Sequence, residues 1–268
     1  MTHNKQISDY HVHSQWSPDS SMETLSILEV CREKRILDIA FTDHVDLFFP
    51  HKSNPTFDIS AYQKEIAKLK RYYSDIHLLA GIEVGVNKSN LVETENLLEK
   101  YSFDFVIASI HTFENAAFCD RSLLKKISKE ALIQNYFDEM IFVTKKLKAY
   151  QVLGHIDYLL RYHNYSREEF LSHSSQIEEV LDNLILGNHG LEINTKGWNR
   201  ENWQNPLLPI LMQYKKMGGK YITIGSDSHS LNQLGNNFEQ AIDLLREASF
   251  TEYYLYRNLE WTPVSLSG

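Results

Sequence analysis

The sequence predicts an α/β fold built on parallel strands, in a single domain over residues 1–268. Three observations predict it. Short apolar runs rich in Ile, Val and Phe alternate with longer amphipathic stretches, and strand–helix alternation implies parallel pairing through crossovers. The 11 Gly and 6 Pro are scattered, and no Ser/Gly-rich or charge-block segment divides the chain. The length of 268 residues with 43% hydrophobic content suits one large core.

The apolar runs are Ile7–His13, Leu37–Thr42, His77–Val86, Phe103–Ile110, Val152–His155, Gly190–Asn194 and Tyr221–Gly225. Their shortness and β-branched content read as buried strands. The helices between them carry start signals. Ser20-Ser-Met-Glu23 and Ser166-Arg-Glu-Glu169 fit the capping box, in which a carboxylate reaches back to an orphan N–H. Asn205 before Pro206 fits an N-cap with proline at N1. Phe137, Ile141 and Leu147 keep helical spacing through 129–149. Similar patterns cover about 59–73, 90–100, 168–186, 206–217 and 237–247. An open doubly wound sheet and a closed barrel both satisfy this order.

Charge and cysteine content narrow the function. With 27 Lys+Arg against 35 Asp+Glu, the net charge is −8, without the basic footprint of a general nucleic-acid binder. Any anionic substrate must be attracted locally, by metal or by a few placed cations. The two cysteines, Cys31 and Cys119, cannot build a disulfide scaffold or a thiolate site, and read as reduced thiols in a cytoplasmic protein. The opening segment is polar and no apolar window reaches membrane-spanning length, so neither a signal core nor a membrane partner is expected.

The 12 histidines are the unusual part of the composition. In a βα barrel, active-site groups stand at the C-terminal ends of strands. The runs end in Asp9-Tyr-His11-Val-His13, Thr42-Asp43-His44, Gly81-Ile-Glu83, Ser109-Ile-His111, Gly154-His155, Glu192-Ile-Asn194 and Gly225-Ser-Asp227-Ser-His229. Singly, each has a plainer role: a turn residue, a hydrogen-bonded core histidine, a helix N-cap. Placed in register, they point to a shared centre at one rim. Imidazole and carboxylate suit Zn²⁺, Mn²⁺ or Fe²⁺. His11 and His13, two apart in a strand, face the same way, and Glu83 can bridge two ions. His3, His51, His77, His163, His173 and His189 fall outside this pattern and read as surface or packing residues.

As an ordered set, these motifs resemble the polymerase and histidinol phosphatase (PHP) superfamily, from residue 9 to about 230. Gly154-His-Ile-Asp-Tyr-Leu-Leu-Arg161-Tyr and Leu191-Glu-Ile-Asn194-Thr-Lys-Gly are similar to its stand-alone histidinol-phosphate phosphatases. The resemblance implies a distorted (β/α)7 TIM-like barrel with two or three divalent metal ions (Zn, Mn or Fe). His11, His13, Glu83 and Asp227 would hold the first ion. Glu83, His111 and His155 would hold the second, and Asp19, His44 and His229 the third. Asp227, Glu83 and His44 would serve catalysis, and Arg161 and Arg200 would clamp phosphate. Arg200 departs from the family pattern, displaced by about one position from the basic residue that follows the Asn-Thr-x-Gly segment.

The implied activity is hydrolysis of L-histidinol phosphate, a step of histidine biosynthesis, by attack of metal-bound hydroxide, since bound metal lowers the pKa of water to about 7. Asp227 or a metal-bound water would protonate the leaving alkoxide. Phe48, Phe49, Phe113 and Phe118 would either flank an imidazole or close the rim. Two other readings compete. One is a phosphoesterase acting on another small phosphate ester or nucleotide; Lys125, Lys126, Lys129 and the Lys145–Lys148 cluster read as solvated helix faces, not a strand-binding groove. The other is a non-catalytic metal-stabilised module, which loss of ligands would signal; the ligand set here is complete.

Overall fold

The computed structural model describes residues 7–50, 57–199 and 205–266. The barrel strands are β1 (Ile7–Val12), β2 (Ile36–Phe41), β3 (His44–Asp46), β4 (His77–Gly85) and β5 (Phe105–Ser109), continued by three later strands. A small hairpin, β6 (Thr112–Phe113) with β7 (Ala116–Ala117), separates β5 from β8 (Val152–Leu153), β9 (Gly190–Asn194) and β10 (Ile222–Gly225). All barrel strands are parallel, in the order β1-β2-β4-β5-β8-β9-β10, with β3 added on β4. Every residue of β5, β8, β9 and β10 is buried, which is why these runs are apolar without alternation.

The helices α1 (Thr24–Lys34), α2 (Ile59–Tyr72), α3 (Leu91–Lys100), α4 (Lys129–Lys146), α5 (Arg167–Leu171), α6 (Ser174–Leu186), α7 (Leu207–Lys216) and α8 (Phe238–Glu247) follow the strands in turn. No helix among the described residues is long and apolar enough to cross a membrane.

Helix starts follow local chemistry. Ser166 and Glu169 form the expected capping box. The Asn205 side chain accepts the Leu207 N–H at 2.9 Å, so the cap acts one residue later than predicted. The Ser20–Glu23 box does not form. Glu23 is the N-cap of α1, Ser20 Oγ turns back to donate to the His13 carbonyl, and Gln15 Oε1 accepts the Thr24 N–H. The predicted 168–186 helix breaks between α5 and α6: Ser172 Oγ donates to the Glu169 carbonyl, and His173 leaves helical geometry to stack on Phe137.

Besides the small β6–β7 hairpin, two elements escape the sequence reading. β2 and β3 form one line interrupted at Thr42-Asp43; the pairing with β4 runs Phe41↔Ala80, then His44↔Glu83. The second is an antiparallel hairpin, β11 (Glu252–Arg257) and β12 (Glu260–Ser265). Its turn places Asn258 and Leu259 at φ 52° and 64°. Such turns are usually marked by Asn-Gly, and leucine at the second position hides the signal.

The barrel closes where its first and last strands meet. Val12 bridges Ser228, Asp227 N–H donates to the His11 carbonyl at 2.8 Å, and His13 N–H donates to the Ser228 carbonyl at 3.1 Å. A Cβ on Gly225 would lie 2.4 Å from His11 Cβ, so this closure requires glycine. The Asp9 carboxylate, at the same seam, accepts from Ser226 N and Oγ and from Gly235 N.

At the opposite end, the C-terminal hairpin is tied to the barrel. Tyr10 Oη donates to the Tyr256 carbonyl and accepts the Tyr256 N–H. Arg257 grips buried Asp38 with two bonds of 2.7 and 2.6 Å. Arg257→Ala removes the guanidinium from that buried carboxylate, and should cost on the order of 3 kcal/mol. Urea unfolding measures the loss, and Asp38→Asn added to Arg257→Ala should recover part of it.

Candidate metal centre

Glu83 is the hub. Its position near the C-terminal end of β4 turns the carboxylate into the barrel mouth, where it is fully buried. Five imidazoles surround it. Oε2 lies 2.7 Å from His44 Nδ1, 3.3 Å from His11 Nε2 and 3.5 Å from His13 Nε2; Oε1 lies 2.9 Å from His155 Nε2 and 3.3 Å from His111 Nε2. Toward solvent, Asp19 Oδ2 lies 3.1 Å from His229 Nε2 and 3.6 Å from His44 Nε2. Asp227 Oδ1 faces His13 Nε2 at 3.4 Å and His11 Nε2 at 4.0 Å. All nine predicted ligands therefore meet at one rim. Ligand atoms within 4.8 Å of one another form three groups: His13-Asp19-His44-His229, His11-His13-Glu83 and His44-Glu83-His111.

The donor set fits divalent cations. His11 Nε2, His13 Nε2, His44 Nδ1 and Glu83 Oε2 are buried without a hydrogen-bond partner, although they crowd one another. Buried polar atoms are nearly always satisfied. Atoms facing each other at these distances without hydrogen-bond geometry suit a cation between them. The rings are oriented from behind, as metal-binding histidines require. His11 Nδ1 meets Glu192 Oε1 at 2.6 Å, His111 Nδ1 meets Asp46 Oδ1 at 2.7 Å, and His13 Nδ1 meets Ser17 Oγ at 2.9 Å. Glu192 Oε2 also accepts the His155 N–H. Asp43, between β2 and β3, accepts both Ser14 N and Ser14 Oγ and so fixes the loop after β1.

Electrostatics follow this packing. Burial raises the Glu83 carboxyl, but His44, His11 and His111 outweigh it and hold it well below the usual carboxylate range. Asp227 is likewise raised by burial, then held well below its usual value by Lys196, His11, His13 and Arg161. Burial pushes His155 down to about 4 and, with His44 and His229, holds His13 well below an ordinary histidine. Both are therefore neutral, the form that binds metal. Burial also opposes charge on His11 and His111. There it is overcome by Glu192, Glu83 and Asp227 at His11, and by Asp46 and Glu83 at His111. Metal uptake must release those protons.

Asp227 sits at φ 51°, a left-handed conformation that aspartate tolerates better than most residues and that recurs at functional sites. Its Oδ2 accepts Arg161 Nη1 at 2.8 Å, and its Oδ1 accepts Lys196 Nζ at 2.8 Å. Arg161 Nη2 also donates to Asn194 Oδ1 at 2.7 Å. Arg161, Lys196, Phe49, Cys119, Tyr158 and Tyr162 line a cavity of about 130 Å³ above His111, His155 and Asp227. Phe113 and Phe118 pack on each other in the core and do not line this cavity, while Phe48 is exposed. Arg200 lies outside the described residues, as do His3 and His51. His163 Nε2 donates to the Phe118 carbonyl, His189 stacks on Tyr150, and His77 approaches Asp38, in keeping with packing roles.

Asp46 and Lys196 were not singled out from the sequence. Asp46 follows His44 at the two-residue spacing of a strand, but three-residue β3 has no apolar run to reveal it. Lys196 lies in the Asn194-Thr-Lys-Gly turn, where a lone lysine carries no signal.

A PHP-domain model matches residues 9–196. The chain belongs to the PHP family. A relative from Clostridium acetobutylicum, named "Probable histidinol-phosphatase", is 31% identical over 94% of this chain and 98% of its own length. The histidinol-phosphatase of Lactococcus lactis is 29% identical, over 94% of this chain and 95% of its own. The crystal structure of histidinol phosphate phosphatase from Lactococcus lactis, complexed with zinc, L-histidinol and phosphate, superposes with a TM-score of 0.87 at 27% identity, covering 96% of this chain and 99% of that one. The PHP barrel expected from the motifs is the fold observed.

Because Glu192 orients His11 and His155 without facing the ligand space, Glu192→Gln should weaken metal affinity about 10- to 100-fold while the chain stays folded. Titration of the metal-free protein with Zn²⁺ against a competing chelator measures this, with circular dichroism as the control.

Proposed function

We propose that this PHP protein is a metal-dependent phosphomonoesterase that hydrolyses L-histidinol phosphate to L-histidinol and phosphate. The carrying observation is Glu83 shared by five converging imidazoles, in a barrel similar over 96% of its length to an enzyme holding zinc, L-histidinol and phosphate.

In this reading His11, His13, Glu83 and Asp227 hold one ion, Glu83, His111 and His155 a second, and Asp19, His44 and His229 a third. Bound there, the ions supply Lewis acidity toward phosphate oxygens and lower the pKa of water. The protein's own groups do the rest. Arg161, fixed by Asp227 and Asn194, presents its guanidinium to the cavity and binds phosphate oxygens. Asp227, beside Arg161 at the cavity, is the carboxylate placed to relay a proton from the attacking water to the leaving oxygen. His44, in contact with both Glu83 and Asp19, ties the inner and outer ligand groups together. Phe49, Tyr158 and Tyr162 give the cavity an aromatic side suited to an imidazole. A cytoplasmic setting accords with the free thiols of Cys31 and Cys119.

Steady-state assay of the metal-stripped and reloaded chain tests the proposal. Hydrolysis of histidinol phosphate should vanish with chelator and return with Zn²⁺, Mn²⁺ or Fe²⁺, and Asp227→Asn should lower kcat by at least about 100-fold. Negligible turnover of histidinol phosphate beside rapid turnover of another phosphoester would reject the substrate.

A further inference from the structure

We propose that Lys196 is a phosphate-binding residue of this chain, leaving Asp227 for the phosphoryl oxygens when metal and substrate are bound; the inference rests on the phosphomonoesterase reading. Asn194 Oδ1 accepts both Lys196 N–H at 3.1 Å and Arg161 Nη2 at 2.7 Å, so one amide oxygen positions both cations beside the cavity. Gly197, at φ 87°, turns the chain immediately after Lys196.

The partners of the ammonium are poorly matched to it. Nζ lies 2.8 Å from Asp227 Oδ1 and 3.0 Å from His229 Nδ1. His229 Nδ1 also lies 3.0 Å from the Asp227 carbonyl, and donating there leaves it no lone pair for Lys196. Oδ1 is the oxygen that faces His11 and His13, whereas Oδ2 is taken by Arg161 and by Asn194 Nδ2 at 3.2 Å. An ion held by His11, His13, Glu83 and Asp227 therefore competes with Lys196 for the same oxygen and repels it. The two cations differ in freedom: the Arg161 side chain is 2% exposed, the Lys196 side chain 29%. Arg161 is clamped, while Lys196 has a flexible stem and open space in the shared cavity. A point charge on such a stem can follow a phosphate dianion, and a chain of net charge −8 needs local cations to hold one.

Inorganic phosphate titrated calorimetrically into the zinc-loaded full chain tests this directly. Lys196→Met should raise the phosphate Kd about tenfold or more, with bound zinc per chain unchanged by elemental analysis. Lys196→Arg, which keeps the charge, should recover most of the affinity. In steady state the methionine variant should raise KM more than it lowers kcat. Unchanged phosphate affinity in Lys196→Met overturns the proposal. So does a loss of affinity that follows a loss of zinc and is not restored by arginine, because Lys196 would then act only by orienting Asp227. The titration contains no histidinol phosphate, so a wrong substrate is read separately: phosphate binding through Lys196 without histidinol phosphate turnover rejects only the substrate.

Discussion

A single buried carboxylate organises the molecule. Glu83 lies out of water among five imidazoles, and a charge so placed is tolerated only because cationic or metal partners surround it. The five partners come from four strand ends, His11 and His13 sharing that of β1, so satisfying Glu83 obliges β1, β3, β5 and β8 to converge with their C-terminal ends at one height. Replacing the charge by a neutral group would remove the reason for that convergence. The barrel supplies the positions, and the carboxylate makes them mutually dependent.

The supporting layer follows the same logic. His11, His13 and His111 each have one ring nitrogen engaged from behind and present the other to the centre. Glu192 holds the His11 ring and the His155 backbone N–H at once and reaches the Asn194 amide as well. Asn194 in turn carries Arg161 and Lys196. Ligand geometry and cavity charge are thus joined through two side chains of β9. A substitution there perturbs metal binding and anion binding together, which an inventory of ligands alone would not suggest.

Much of this was legible in the sequence because barrel chemistry is periodic. Apolar runs mark the strands, and polar residues at their ends mark the rim; eight of the nine expected ligands stand there, and only the family resemblance points to Asp19. What stayed hidden had specific causes. Asp46 sits on a strand too short to carry a pattern. The β11–β12 hairpin turns through Asn258-Leu259 instead of Asn-Gly, and its strands mix aromatic and charged residues. The Ser20–Glu23 cap failed because tertiary partners, the His13 carbonyl and Gln15, captured the groups that the local motif would have used. Lys196 acquires meaning only from Asp227, thirty-one positions away in sequence.

The seam between β1 and β10 also bears on how the protein comes into being. His11 Nε2 and Asp227 Oδ1 lie 4.0 Å apart across the seam but far apart in sequence, and Tyr10 is bonded to Tyr256 across 246 positions. Contacts this distant in sequence form slowly, since the intervening loop must close before they reward it. A ribosome-bound chain that has emerged only as far as β9 possesses His11, His13, Glu83, His111 and His155 but neither Asp227 nor His229. It can gather part of the ligand set, but not complete it. Completion of the proposed ligand set therefore waits until β10 has emerged and closed on β1.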